Sequence, residues 1–163
     1  WLQTGMKKAL RLIRDAGAVH LAGDQHLATL IQHGIEEHGD GPYAFIAPAI
    51  VNNYYSRWWA PPEEEAGKNH DPSNPLPYTG DYTDGLGNRL TMLAYANIEG
   101  DTRRDGFGLI RFNKEEKSVT FESWDRFTDV TRPGARQMPG WPRTIRRSGG
   151  EGVPFQWMLD PIR

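Results

Sequence analysis

The first third of the chain alternates between an amphipathic segment and short apolar runs. From Thr4 to Ala16 the apolar residues recur at the spacing of one helical face, and Gly17 is placed to end that helix. The apolar run Ala18 to Ala22 follows directly and is predicted to be a buried strand. A helix that leads straight into a buried strand is typical of α/β folds.

Later hydrophobic runs predict short strands joined by turns. Leu27 to Ile35 fits a strand or a short helix, because neither period dominates. Tyr43 to Val51 is predicted to be a strand that contains Pro48. Because proline lacks a backbone donor, Pro48 marks an edge, a bulge or an early end of this strand. The strands predicted after Leu27 to Ile35 are Tyr43 to Val51, Arg89 to Asn97, and the hairpin pair Phe107 to Phe112 and Ser118 to Trp124.

Two stretches lack a regular hydrophobic period. Residues 59–82 are rich in proline and contain Glu63-Glu64-Glu65, and we predict a long irregular surface loop. Residues 131–163 are rich in Arg, Pro and Gly, which predicts an irregular tail anchored by Trp141 and Trp157. The arginines of this tail either bind an anionic substrate or polymer, or form a solvated surface balanced by the acidic loop. With no internal repeat and no second domain in sight, residues 1–163 are expected to belong to one domain.

Composition excludes several classes of function. The chain has 163 residues and no apolar run that approaches the length of a membrane span. Its net charge of −2 gives no general attraction to nucleic acid or to an anionic membrane. The chain contains no cysteine, which excludes disulfides and thiolate metal sites.

The triplet Asp24-Gln25-His26 is the best candidate for chemistry. It follows the first predicted strand, and in an extended backbone the side chains of Asp24 and His26 would point to the same side. A carboxylate and an imidazole are ligands that a catalytic divalent or trivalent metal ion accepts. Gly23 removes side-chain bulk just before them. In the alternative interpretation, Asp24 caps a turn or a helix and His26 is a hydrogen-bonded neighbour.

The same stretch carries a resemblance to a known family. Residues 21–29, with Gly-Asp-Gln-His at their centre, resemble the last metal-binding motif of the alkaline phosphatase D-like (PhoD-like) metallophosphoesterases, a Gly-Asp-x-His element that ends a core strand. The later stretches that resemble the family are Tyr43-Ala44-Phe45 to Pro48-Ala49-Ile50, Arg57-Trp58-Trp59, Asp84-Gly85 with Gly87-Asn88, Gly106-Phe107-Gly108 and Gly140-Trp141-Pro142.

The resemblance implies a specific fold and function. The chain would be the C-terminal portion of a metallophosphoesterase-type α/β sandwich, mostly antiparallel strands with an N-terminal helix. The full-length protein would use two divalent or trivalent metal ions to hydrolyse phosphomonoesters or phosphodiesters. His26 would be a direct metal ligand, and Asp24 a ligand or an acceptor that orients an imidazole. The family's earlier motifs do not occur before Asp24, so the isolated chain is expected to be inactive. The resemblance also implies a periplasmic or secreted location.

Two further residues are candidates for binding the phosphate ester. Asn52 follows a predicted strand and could reach the site by the same geometry as Asp24. Arg57 lies beside two tryptophans and could contact a phosphate; alternatively, it is a surface residue while the Trp rings close the core. A different class of function also stays open: a non-catalytic β-rich module whose Trp and Tyr side chains contact a carbohydrate or a protein.

Overall fold

The computed structural model describes residues 3–25, 28–50, 66–96, 105–148 and 156–161, without the side chains of Asp24 and Gln25. Within these residues one helix precedes nine strands. The elements are α1 Gln3–Asp15, β1 His20–Gln25, β2 Thr29–Gly34, β3 Tyr43–Pro48, β4 Gly80–Thr83, β5 Arg89–Tyr95, β6 Gly106–Asn113, β7 Ser118–Asp125, β8 Arg143–Ser148 and β9 Gln156–Leu159.

The helix α1 ends as its sequence predicts. Gly17 adopts a φ of 61°, and its N–H donates to the carbonyl oxygen of Arg14 at 2.8 Å. The N–H of Ala18 donates to the carbonyl oxygen of Ile13 at 3.0 Å, which completes the bond pattern of a Schellman cap. In the described part of the chain, no helix is long and apolar enough to cross a membrane.

The described strands form two sheets. The first has the order β1-β3-β2-β5-β4, and the second has the order β6-β7-β8-β9. Among the described pairs, β1 and β3 run parallel and all others run antiparallel. The chain is therefore a mixed α/β structure of mostly antiparallel strands with an N-terminal helix, which confirms the predicted fold class at this coarse level.

The main core lies between the two sheets. Phe45 of β3 contacts Phe121 of β7 and Trp141, with ring centroids 5.2 and 5.6 Å apart. Gly108 of β6 lies directly over Phe45, and a Cβ atom there would lie 2.7 Å from the ring. A glycine at this position thus lets the two sheets approach each other closely.

The helix α1 and the strand β1 contribute less to this core. Leu10 is buried, but Leu12 and Leu21 are 62% and 52% exposed. All of residues 20–23 in β1 are exposed. In the described part of the chain, β1 is the edge strand of the first sheet, and β3 is its one neighbouring strand.

Several element predictions are settled by strand pairing. Leu27 to Ile35 contains the strand β2, because Thr29–Gly34 pairs with both β3 and β5. The strand predicted over Tyr43 to Val51 ends early, at Pro48.

The two irregular stretches need correction. The prediction of an irregular tail over residues 131–163 is wrong at β8 and β9, which pair with each other and extend the second sheet. Residues 59–82 were predicted to be a loop throughout, but β4 begins at Gly80 and Lys68 bridges to Asp81. In both stretches, sheet pairing (β4 with β5, and β8 with β7 and β9) overrides a local pattern that is too polar to predict a strand.

Candidate functional site

The predicted Gly-Asp-x-His element begins at the end of β1. Strand β1 runs as far as Gln25, so the backbone of Asp24 belongs to the strand. The pairs Ala22 with Ile46 and Gln25 with Pro48 show that β1 advances three residues while β3 advances two. The extra residue in β1 matches a β-bulge at residues 23–24, and it interrupts the regular alternation of side chains at Asp24, the first of the predicted ligands.

The space beside the bulge is open. A Cβ atom built on Gly23 would meet no atom of the described residues within 4 Å, so packing within this part of the chain does not demand a glycine here. The openness fits the expectation that a metal ion or a phosphate could approach the backbone of β1. The donors themselves also suit a metal, since the sequence supplies a carboxylate and an imidazole here.

The side chain of Asp24, all of His26, Asn52 and Arg57 lie outside the described residues. Their roles therefore stay predictions. Among the described side chains, no group of three or more His, Asp or Glu residues is arranged to hold a metal ion.

Four strand ends meet at one edge of the first sheet. Gln25 at the end of β1 pairs with Pro48 at the end of β3, because the two strands are parallel. Thr29 at the start of β2 pairs with Ile46 and with Tyr95, the last residue of β5. We call this set of strand ends the carboxyl edge. In sequence, His26 follows β1 directly, and Asn52 comes four residues after β3.

An ion pair between a buried carboxylate and a half-buried guanidinium lies next to the carboxyl edge. Gly106 at the start of β6 donates its N–H to the carbonyl oxygen of Ala49 at 3.0 Å, which ties β6 to the end of β3. The neighbouring Asp105 is buried, and its carboxylate lies 2.7 Å from a guanidinium nitrogen of Arg126. That guanidinium also lies 4.4 Å from the ring centroid of Phe127, which is 81% exposed. The charge of Arg126 is therefore matched, and Phe127 offers an aromatic face to solvent.

Sequence reasoning missed this group. An Asp followed by Gly is ordinary turn chemistry, and Arg126 is 21 residues away from its partner. No local spacing links the two residues. The exposed Phe127 follows Asp125, whose carboxylate accepts its backbone N–H at 3.0 Å, a local turn bond that gives no hint of the ion pair.

The histidines that the structure describes lie away from the carboxyl edge. His33 follows Thr29 by four residues along β2, about 13 Å at strand spacing, so it does not join the end of β1. Its ring stacks on that of His20 with centroids 5.9 Å apart. Burial, with a smaller effect from His20, lowers the pKa of His33 from 6.5 to about 4. His38 and His70 are half-buried and bonded to Tyr82 and Thr79, at 2.9 Å each.

Two grooves lie at the opposite end of the molecule. One of about 640 Å³ is lined by residues that include Gly17, Lys117 and Trp157, and Trp157 donates its indole N–H to the carbonyl oxygen of Gly17. The other, of about 480 Å³, also contacts Trp157. Both are formed near the start of β1, so neither belongs to the predicted metal site.

Comparison of the chain with protein-family models, with curated proteins and with solved structures found no match.

Proposed function

We propose that this chain is part of a PhoD-like, metal-dependent phosphoesterase and supplies its last metal-binding motif. The observation that carries the proposal is the parallel pairing of β1 with β3, with a bulge at Gly23–Asp24. In sheets with parallel strands, ligands bind outside the carboxyl ends of the strands. Bulges are over-represented beside active sites, where they redirect side chains. The Gly-Asp-x-His element has both properties.

Each site residue has a distinct proposed role. His26 would hold a metal ion directly, and Asp24 would hold one or accept a hydrogen bond that fixes an imidazole. Asn52 and Arg57 would bind the phosphate ester by hydrogen bonds and charge. Two divalent or trivalent ions, when bound, would stabilise negative charge on the phosphate oxygens. The substrate would be a phosphomonoester or a phosphodiester, and the location extracytoplasmic.

Asp24 and His26 cannot complete a two-metal centre alone. Such a centre needs about six to eight ligands around two ions. In this proposal the remaining ligands come from parts of the enzyme beyond this chain, and the isolated chain is inactive. The exposure of residues 20–23 supports this view, since a strand in a parallel pair is normally covered on both faces.

The alternative function, a binding module with an aromatic surface, has less support. Four of the seven Tyr and Trp side chains that the structure describes are buried and cannot contact a partner. In the part of the chain that the structure describes, the buried members are Tyr43, Tyr95, Trp124 and Trp141. Among the described residues, the exposed large aromatic side chains are instead Phe112 and Phe127, which lie on different ends of the second sheet.

The full-length protein provides the test of the proposed activity. Hydrolysis of p-nitrophenyl phosphate and bis(p-nitrophenyl) phosphate would be measured after chelation and again after metal ions are restored. We expect turnover that depends on metal, and we expect His26→Ala to abolish it together with part of the bound metal. The matched control is His38→Ala, which removes a histidine bonded to Tyr82 in the loop after β2 and should keep the rate.

Two outcomes would contradict the proposal. One is a His26→Ala variant that retains both its metal content and its rate. The other is an isolated 163-residue chain that hydrolyses either ester at the full-length rate.

A further inference from the structure

Arg143 is an arginine on the inner face of the second sheet. It begins β8 and pairs with Phe121 of β7, while Ile145, two residues later, pairs with Val119. Phe121, Ile145 and Val119 all belong to the buried core. Side chains at alternate positions of a strand share a face, so Arg143 is turned toward the core and is only 6% exposed.

The guanidinium of Arg143 is not neutralised by the side chains around it. Its Nε–H has no acceptor within the described part of the chain, and Arg143 forms no ion pair there. The carboxylate of Asp71 acts on it only at longer range and already accepts the N–H and the hydroxyl of Ser73. Burial outweighs Asp71 and Tyr43 and lowers the pKa of Arg143, although an arginine stays charged. A buried cation with an unused donor is costly unless something supplies the opposite charge.

A cavity of about 360 Å³ adjoins Arg143. It lies among Pro75, Trp141, Thr144 and the residues after β9. Arg146 and Asp160 also line it, but these two are paired with each other at 2.8 Å, and Arg146 also binds Glu116. Among the described residues that line the cavity, Arg143 is therefore the cation without an ion-pair partner. The volume of the cavity lies at the lower end of the range for ligand sites and suits a small group.

We propose that Arg143 anchors a binding site for a phosphate-class oxyanion in this cavity. The planar guanidinium donates hydrogen bonds in a fork that matches two oxygens of such an anion. The site does not rest on the proposed phosphoesterase activity, because it needs no metal ion and uses none of the residues assigned to the metal centre.

The test uses the isolated chain in the presence of a chelator. Thermal unfolding and titration calorimetry would compare inorganic phosphate, methyl phosphate and chloride at one ionic strength. We expect phosphate to raise the unfolding midpoint of the wild type beyond the effect of chloride. A response to methyl phosphate as well would identify the phosphate group of an ester as a ligand, whereas a response to inorganic phosphate alone would identify the free ion.

Three variants show whether Arg143 is responsible. Arg143→Met should lose the phosphate response while remaining at least as stable as the wild type without phosphate, because it removes an uncompensated buried charge. Arg143→Lys keeps the charge but loses the planar fork, and its affinity should fall by about tenfold or more. Arg132→Met removes an exposed arginine outside the cavity and should bind phosphate as the wild type does.

The proposal is overturned if the wild type responds to phosphate no more than to chloride. It is equally overturned if Arg143→Met, or Arg143→Lys should the first variant not fold, binds phosphate with wild-type affinity.

Discussion

The second sheet buries large apolar side chains, whereas the unit formed by α1 and β1, called the α1–β1 unit, leaves large apolar side chains exposed. In the second sheet, Phe121 and Ile145 are completely buried against the first sheet. In the α1–β1 unit, Leu12 and Leu21 are more than half exposed. The strands β6, β7 and β8 pair antiparallel with their neighbours, whereas β1 joins the molecule through one parallel pairing.

This difference shows how each region is stabilised. The second sheet covers one face with the first sheet, and so it completes its own core. The α1–β1 unit covers little of its apolar surface within the described part of the chain. We therefore expect the second sheet to dominate the stability of the isolated chain, and the α1–β1 unit to reach its full stability only in the proposed full-length enzyme.

The largest expected effect is that of truncating the core of the second sheet. Phe121→Ala removes a fully buried ring that packs on Phe45, and it should lower the free energy of unfolding by about 3–5 kcal/mol. Urea unfolding followed by tryptophan fluorescence would measure the change. A loss below about 1 kcal/mol would show that the inter-sheet core is not the main source of stability.

Protonation of His33 at acid pH should destabilise the first sheet. Its pKa is about 4 in the folded chain against 6.5 in the unfolded chain, so the unfolded chain binds the proton first. The stability present above pH 6.5 is therefore lost as the pH falls toward 4, by up to ~3 kcal/mol from this residue. His33→Gln should flatten this part of the pH dependence of urea unfolding. His38→Gln is the matched control, and an equal flattening in both variants would contradict the assignment to His33.

Adding one methyl group in each region should lower the stability in the second sheet but not in the α1–β1 unit. Gly108→Ala places a Cβ 2.7 Å from the Phe45 ring and should cost about 1–3 kcal/mol. Gly23→Ala places a Cβ in open space beside β1 and should change stability by less than about 0.5 kcal/mol. Chemical denaturation of both variants would measure the contrast, and equal losses would argue against the difference in packing.

The smallest expected effect concerns the exposed face of β1. Leu21→Ser should change the stability of the isolated chain by less than about 0.5 kcal/mol, since the side chain is half exposed. In the full-length protein the same change should cost about 1–2 kcal/mol, because the proposal has this face covered there. Thermal unfolding of both proteins would test it, and equal effects would mean that nothing further packs on β1.

Local sequence patterns predicted much of the fold. Of the candidate site they predicted the position in the chain but not the geometry. A strand was correctly predicted at this point, but β1 spans His20–Gln25 and not Ala18 to Ala22, and its residues 20–23 are exposed, so the prediction of a buried strand is wrong. The bulge at Gly23–Asp24 could not be predicted, because it is defined by the register with β3, as in the pair of Ala22 with Ile46 much later in the chain. The ion pair of Asp105 with Arg126 was missed for the same reason.

The amino-acid sequence by itself determined the elements whose signals are local. The helix α1 follows from its apolar period and from Gly17, and the hairpin of β6 and β7 follows from two β-rich runs around a polar turn. The tertiary structure alone decided that β2 is a strand, that β1 runs parallel to β3, and that Arg143 is buried. These features depend on which distant segments pair and on what covers a charged side chain, and neither is encoded in the few neighbours from which a local period is read.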